Sequence, residues 1–139
     1  MRSSALCLFF AAILVLSGCS ARLPVRVEDG LGAYPTTVSA ELAESAATVL
    51  SEMYPAGSTV LCVLPDTNEG EPRSSFAVSL ESHLRSRGFA VASDAKRAEI
   101  LVGYQTDVLL EEGVRVGYWN IITSDGKTFS LSRPLGSVR

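Results

Sequence analysis

This sequence of 139 residues predicts an α+β domain in which two helices pack on one face of a four- to five-stranded, mostly antiparallel sheet. Three observations carry that expectation. Two stretches place apolar residues at helical spacing. One short run, 59–64, is apolar or β-favouring throughout and is bounded by Gly57 and Pro65. The final third alternates in the manner of strands and contains Asp125-Gly126, a strong hairpin signal. The element order reads α-β-α-β-β-β-β, as one domain over 38–135 with a short tail at 136–139.

In the first helix, about 39–54, Leu42, Ala46, Val49, Leu50 and Met53 fall on one face, with Met53 as a core filler. Ser39 is the candidate N-cap, and Glu41 and Glu44 lie in or near the first turn, where the helix dipole favours acid. Pro55 and Gly57 end it. The strand at 59–64 does not alternate, so both its faces should be buried. The second helix, about 72–87, starts at Pro72, a residue welcome in a first turn. It carries the stripe Phe76, Leu80 and Leu84, widened by Ala77, and ends at Gly88 as the left-handed C-cap. Phe89, Ala90 and Val91 make a short strand. A polar turn at 93–99 follows, with Ser93 as the candidate cap of a single helical turn. The rest is a meander: 100–110, a turn at Glu111-Glu112-Gly113, 114–123, and 127–132, stopped by Pro134.

Ahead of the domain stands a different kind of segment. Arg2 precedes an apolar run, 6–16, which closes on Leu16-Ser17-Gly18-Cys19. A basic start, an apolar stretch of roughly 7–15 residues and small residues at the cut make a secretory leader. The run is too short for a membrane span, which needs roughly 17–25 residues. The closing four residues resemble the lipobox of bacterial lipoproteins. That resemblance implies cleavage of 1–18 between Gly18 and Cys19, with lipid added to the Cys19 thiol. Several acyl chains, each buried CH₂ contributing about 0.8 kcal/mol, would anchor the chain to a membrane. Ser20, rather than Asp, at the second mature position favours the outer membrane by analogy with that family. Residues 19–37 hold Pro24, Gly30, Gly32 and Pro35 and show no period, so they are expected to form a flexible tether.

Composition narrows the function. Lys and Arg number 12 against 15 Asp and Glu, and no basic run is longer than Lys96-Arg97. That leaves no electrostatic footprint for nucleic acid. Of three cysteines, Cys7 would leave with the leader and Cys19 would carry lipid. Cys62 then has no partner within the chain and reads as an inert thiol in a buried strand, unless it is exposed to a partner protein. No nucleophile motif, phosphate loop or dinucleotide fingerprint is present. His83 is the single histidine, and a metal site needs several convergent ligands. Asp66, Glu69 and Glu71 crowd one loop but read as solvated, as do Glu111 and Glu112 on their turn. The expectation is therefore no enzyme, no metal, no small-molecule substrate and no cofactor beyond lipid on Cys19. Tyr104, Tyr118 and Trp119 cluster in the meander and are the candidate contact residues for another protein, against the alternative that they pack in the core or on the sheet. The last strand, without strong edge protection, is a second candidate.

One family resembles the chain over about 41–135. Its marks are the leader with Cys19, the acidic-start helix, the strand beginning Ser58-Thr59-Val60-Leu61, and the spacing Phe76-x₃-Leu80-x₃-Leu84-x₃-Gly88-Phe89-Ala90-Val91. These resemble the TrbH lipoproteins of conjugal transfer. The resemblance implies a non-enzymatic subunit of the mating-pair-formation apparatus, a type IV secretion system. Such a subunit would be lipid-anchored at the outer membrane, would face the periplasm and would touch other envelope proteins. An assembly or chaperone partner of another envelope complex is the alternative on the same residues, and a solute-binding or enzymatic lipoprotein a third.

Overall fold

A computed structural model describes residues 25–65 and 72–135. Gly18 and Cys19, the start of the tether, the acidic loop with Asp66, Glu69 and Glu71, and the tail at 136–139 lie outside the described residues. The chain runs β1 (Val27–Asp29), α1 (Thr36–Met53), β2 (Val60–Val63), α2 (Ser75–Ser86), β3 (Ala90–Val91), a 3-10 turn at Ala95–Arg97, β4 (Ile100–Glu111), β5 (Val114–Thr123) and β6 (Thr128–Leu135). The order across the sheet is β3-β2-β4-β5-β6, with β1 also on β4.

β4 is the axis of this sheet. One edge pairs antiparallel with β5, from Val102↔Thr123 to Glu111↔Val114. Its other edge is shared by two parallel strands placed end to end. β2 meets residues 100–102 and β1 meets 104–106. β5 continues antiparallel into β6. Antiparallel pairs thus make up most of the ladder, and the β3–β2–β4 side is parallel.

Alternation along the strands assigns the two faces. Val102, Tyr104 and Thr106 of β4 and Trp119 and Ile121 of β5 are buried on the helix side. Both helices lie there and pack on each other. α1 buries Leu42, Ala43, Ala46, Ala47 and Leu50, and α2 buries Phe76, Ala77, Leu80 and Leu84. Small residues set the helix-to-sheet distance. A Cβ on Gly117 would stand 3.1 Å from Leu42 Cδ1, a tight contact. The end of α2 follows the Schellman pattern: Gly88 (φ 89) donates to Arg85 O and Phe89 donates to Leu84 O.

The six-stranded sheet has one strand more than the sequence suggests, and it lies within the stretch expected to be a free tether. β1 occupies 27–29 and Leu31 is buried, so the later part of 19–37 belongs to the domain. Asp29 explains the attachment. Its Oδ1 accepts from Thr106 Oγ1 at 2.7 Å and from the Leu31 amide at 3.2 Å, while Gly30 N donates to Thr106 O at 2.8 Å. Just before β1 the chain crosses the open face of the sheet over Gly103, where a Cβ would lie 2.4 Å from Arg26 O. Only glycine admits that crossing.

Several local expectations need correction. Asp94, not Ser93, caps the turn at Ala95–Arg97, accepting from the Lys96 amide at 2.9 Å. Glu41 and Glu44 fall beyond the first turn of α1, which holds no acid. α1 starts at Thr36 behind Pro35, with no side-chain cap, because Ser39 lies on the buried face with Leu42 and Ala43 and cannot turn back to the first amides. Met53 is 42% exposed, since the buried stripe runs along the alanines instead. Ser74, not Pro72, opens α2, accepting from the Ala77 amide at 3.1 Å. Pro134 does not stop β6. It pairs opposite Val116 on an edge strand, where a missing amide is tolerated.

Leu80→Ala should cost about 2–5 kcal/mol in urea unfolding, whereas exposed Val78→Ala should stay within about 0.5 kcal/mol. Gly103→Ala should release β1 while the rest stays folded, read as new protease cleavage at 25–31 with a small loss of Tm.

Candidate interaction surface

The three aromatic residues expected at a protein contact do not share a face. Tyr104 is buried on the helix side, its ring 4.8 Å from that of Phe76 and its hydroxyl 2.9 Å from Ser74 Oγ. Trp119 is fully buried, and its indole N–H donates to Ser45 Oγ at 2.8 Å. Ser45 in turn donates to Leu42 O at 2.7 Å. Both rings are core, and each polar tip is tied to a helix. Tyr118 alone stands half-exposed on the opposite, open face.

That open face is crossed by a polar row. Register aligns Glu28, Gln105, Asn120 and Ser130 across four strands. Gln105 Nε2 donates to Glu28 Oε2 at 3.1 Å, and Ser130 Oγ donates to Asn120 Oδ1 at 2.9 Å. A shallow groove of about 420 Å³ lies along Gln105, Tyr118, Asn120, Ser130 and Ser132. No element among the described residues covers it, apart from the crossing at Gly103. β6 forms one margin of this face and is an edge strand, as expected from the sequence.

The remaining polar side chains that converge do so to hold the fold. Tyr54, just past α1, donates its hydroxyl to Asp125 at 2.8 and 3.0 Å and sits 3.1 Å from Thr123 Oγ1. Thr123 Oγ1 donates to Asp125 Oδ1 at 2.5 Å. Lys127 Nζ lies 3.4 Å from Asp125 and 4.4 Å above the Tyr54 ring. Burial, reinforced by the Asp125 charge, pushes the Tyr54 phenol up to about 12. Burial works to raise Asp125 as well. Hydrogen bonds from Thr123 and Tyr54 and the Lys127 ammonium outweigh it and hold the carboxyl below its usual range. This cluster ties the end of α1 to the β5–β6 turn.

Glu81 plays the same part on α2, ion-paired with Arg73 and with Arg85 at 3.2 Å. Arg73 also donates to Val63 O at 3.1 Å, at the end of β2. Cys62 is buried, and burial pushes its thiol pKa up, which favours the unreactive protonated form. His83 is half-exposed on α2. Among the described residues no group of three or more His, Cys, Asp or Glu is placed to hold a metal ion, and no helix is long and apolar enough to cross a membrane.

The profile of the family described as Conjugal transfer protein TrbH matches residues 30–132. The chain belongs to the TrbH family. The matched span begins just after β1 and takes in both helices and the sheet through Ser132 of β6. The family places this TrbH chain in conjugal transfer. No curated protein matches it. Among solved structures it is similar to the LpoB C-terminal domain from Salmonella enterica, at 11% identity with a TM-score of 0.43. That likeness covers 70% of this chain and 97% of the other.

The Tyr54–Asp125 cluster makes stability depend on pH in two directions. A depressed carboxyl stabilises above its unfolded value, near pH 4, and that contribution fades as pH falls through the lower folded value. Asp125→Asn should therefore be less stable than the native chain at pH 7, with the gap closing below about pH 4. A raised phenol works oppositely. Its share of the stability is intact below pH 10, where folded and unfolded forms both keep the proton, and is lost between pH 10 and the folded value of about 12. Tyr54→Phe should remove that alkaline loss, measured by denaturant titration across both ranges.

Proposed function

We propose that this chain is a non-enzymatic, lipid-anchored subunit of a conjugative type IV secretion apparatus, the mating-pair-formation complex, held at the outer membrane with its domain in the periplasm. The observation that carries this reading is membership of the TrbH family over nearly the whole domain. The membrane half rests on sequence: Leu16-Ser17-Gly18-Cys19 after an apolar run, with Cys19 as the lipidated first residue and 1–18 removed. Lipid on Cys19 would be the group that attaches the chain to the membrane. The non-enzymatic half is supported by how the converging polar groups are used. Tyr54, Thr123, Asp125 and Lys127 satisfy one another, as do Arg73, Glu81 and Arg85. Such a module works by contact with other envelope proteins, and its open sheet face is the surface left for that purpose.

Deleting the gene from a conjugative element should abolish or sharply lower transfer frequency, with restoration by the native chain. Cys19→Ser should accumulate as uncleaved precursor, lose the acyl mass at the amino terminus and fail to restore transfer. Full restoration by a soluble, unacylated Cys19→Ser chain would overturn the anchored reading.

A further inference from the structure

Of five large hydrophobic side chains that stand exposed among the described residues, three lie at one end of the β4–β5 hairpin: Leu109 (45%), Leu110 (74%) and Val114 (43%). β1 leaves β4 at Thr106, so among the described residues 107–111 is paired by β5 alone. On the open face of this end, alternation gathers Leu109, Val114, Val116 and Tyr118, with Pro134 of β6 beside Val116. Leu109 and Val116 are a direct cross-strand pair. Carboxylates frame the strip: Asp107 and Glu111 on the same face and Glu112 in the turn. Arg115 and Arg133, the nearest cations on these strands, alternate to the helix side. None of the three carboxylates is in an ion pair among the described residues.

We infer that this hairpin end docks another protein whose contact surface is aliphatic at its centre and rimmed by Lys or Arg. The inference rests on the reading of the chain as a transfer-apparatus subunit, and it names that subunit's contact. A partly exposed apolar strip bordered by charge is the kind of surface that protein contacts use. The three acids select among occupants. An anionic bilayer surface attracts basic segments and repels carboxylates, so the strip is not shaped for lipid. A second copy docking on the same patch by two-fold symmetry would set these carboxylates against themselves, a like-charge juxtaposition that opposes association. A basic rim around an aliphatic centre satisfies both halves of the surface, and opposite charge speeds the encounter.

The test places a photo-crosslinking amino acid at Leu109 or Val116 of the full-length chain in cells carrying the transfer genes. Thr128 and Ser130, at the other end of the same face, serve as control positions. A discrete adduct from Leu109 and Val116, mapped to an aliphatic segment of one transfer protein within a few residues of Lys or Arg, is the expected result. Glu111→Lys with Glu112→Lys should lower that adduct roughly tenfold at unchanged Tm, with recovery when the partner's cations are reversed to Glu. Adducts only to lipid, to a second copy or to residues 19–24 of the same chain would overturn the inference. So would equal adducts from Thr128, no adduct at all, or indifference to charge reversal. If gene deletion abolishes transfer while the double-lysine chain transfers normally without an adduct, the docking site alone fails. If deletion leaves transfer intact, the functional reading fails with it.

Discussion

The parity of side chains along β4 decides the rest of this structure. Among the described residues β4 alone meets three other strands, and its Val102, Tyr104 and Thr106 are buried on the helix side. A slip of one residue would send Gly103 and Gln105 inward and expose Tyr104. Several contacts forbid that slip at once. Gly103 must lie outward, because Arg26 crosses there at a distance no Cβ permits. Gly117 lies inward, where a Cβ would stand 3.1 Å from Leu42 Cδ1 and crowd α1. The two glycines thus fix opposite faces of neighbouring strands, and the register of the whole sheet follows.

Polar groups that the core would otherwise strand reinforce this choice. Trp119 lies deep beneath α1, yet its indole nitrogen meets Ser45. Tyr104 reaches Ser74, the residue that also caps α2, so one hydroxyl starts a helix and receives the sheet. Leaving such a group unpaired costs about 1–3 kcal/mol, which makes the positions of Ser45 and Ser74 matter as much as those of the rings. The Tyr54 cluster closes the opposite margin, joining α1 to the β5–β6 turn. Each helix is therefore pinned to the sheet by apolar area and by a directional bond.

Much of this was legible in sequence. The Phe76, Leu80, Leu84 stripe, the left-handed Gly88 and the non-alternating strand at 60–63 all arise from local periodicity, and the structure places them as expected. β1 was not legible. It is three residues long and includes Glu28 and Asp29, and its partners lie 77 positions away, so nothing local marks it as a strand. The link from Tyr54 to Asp125, 71 positions apart, is hidden for the same reason. The three aromatic residues of the meander divide by strand parity. Trp119 and Tyr118 are adjacent in a strand and must face opposite ways, and Tyr104 shares parity with Val102. The alternation carried that information, while grouping the three by type concealed it. The exposed hairpin end is hidden in the sequence for a similar reason: Glu111 and Glu112 mark a turn, and only the register places Leu109 beside Val116.

The unequal support of β4 bears on how the surface works. Among the described residues its first half is held on both edges and its second half by β5 alone. A hairpin with one free edge usually loses order toward its tip. Here the turn is matched to the twist of the strands: Glu112 and Gly113 both take positive φ, 49° and 81°, as a two-residue hairpin loop requires. The ladder continues unbroken to Glu111↔Val114. At its base, Leu42 and Leu135 pack against Gly117. The ladder therefore sets the spacing at which the exposed side chains stand. Among the described residues no strand pairs with this edge beyond Thr106, so a partner docked as proposed would meet both an aliphatic strip and a line of backbone hydrogen-bonding groups.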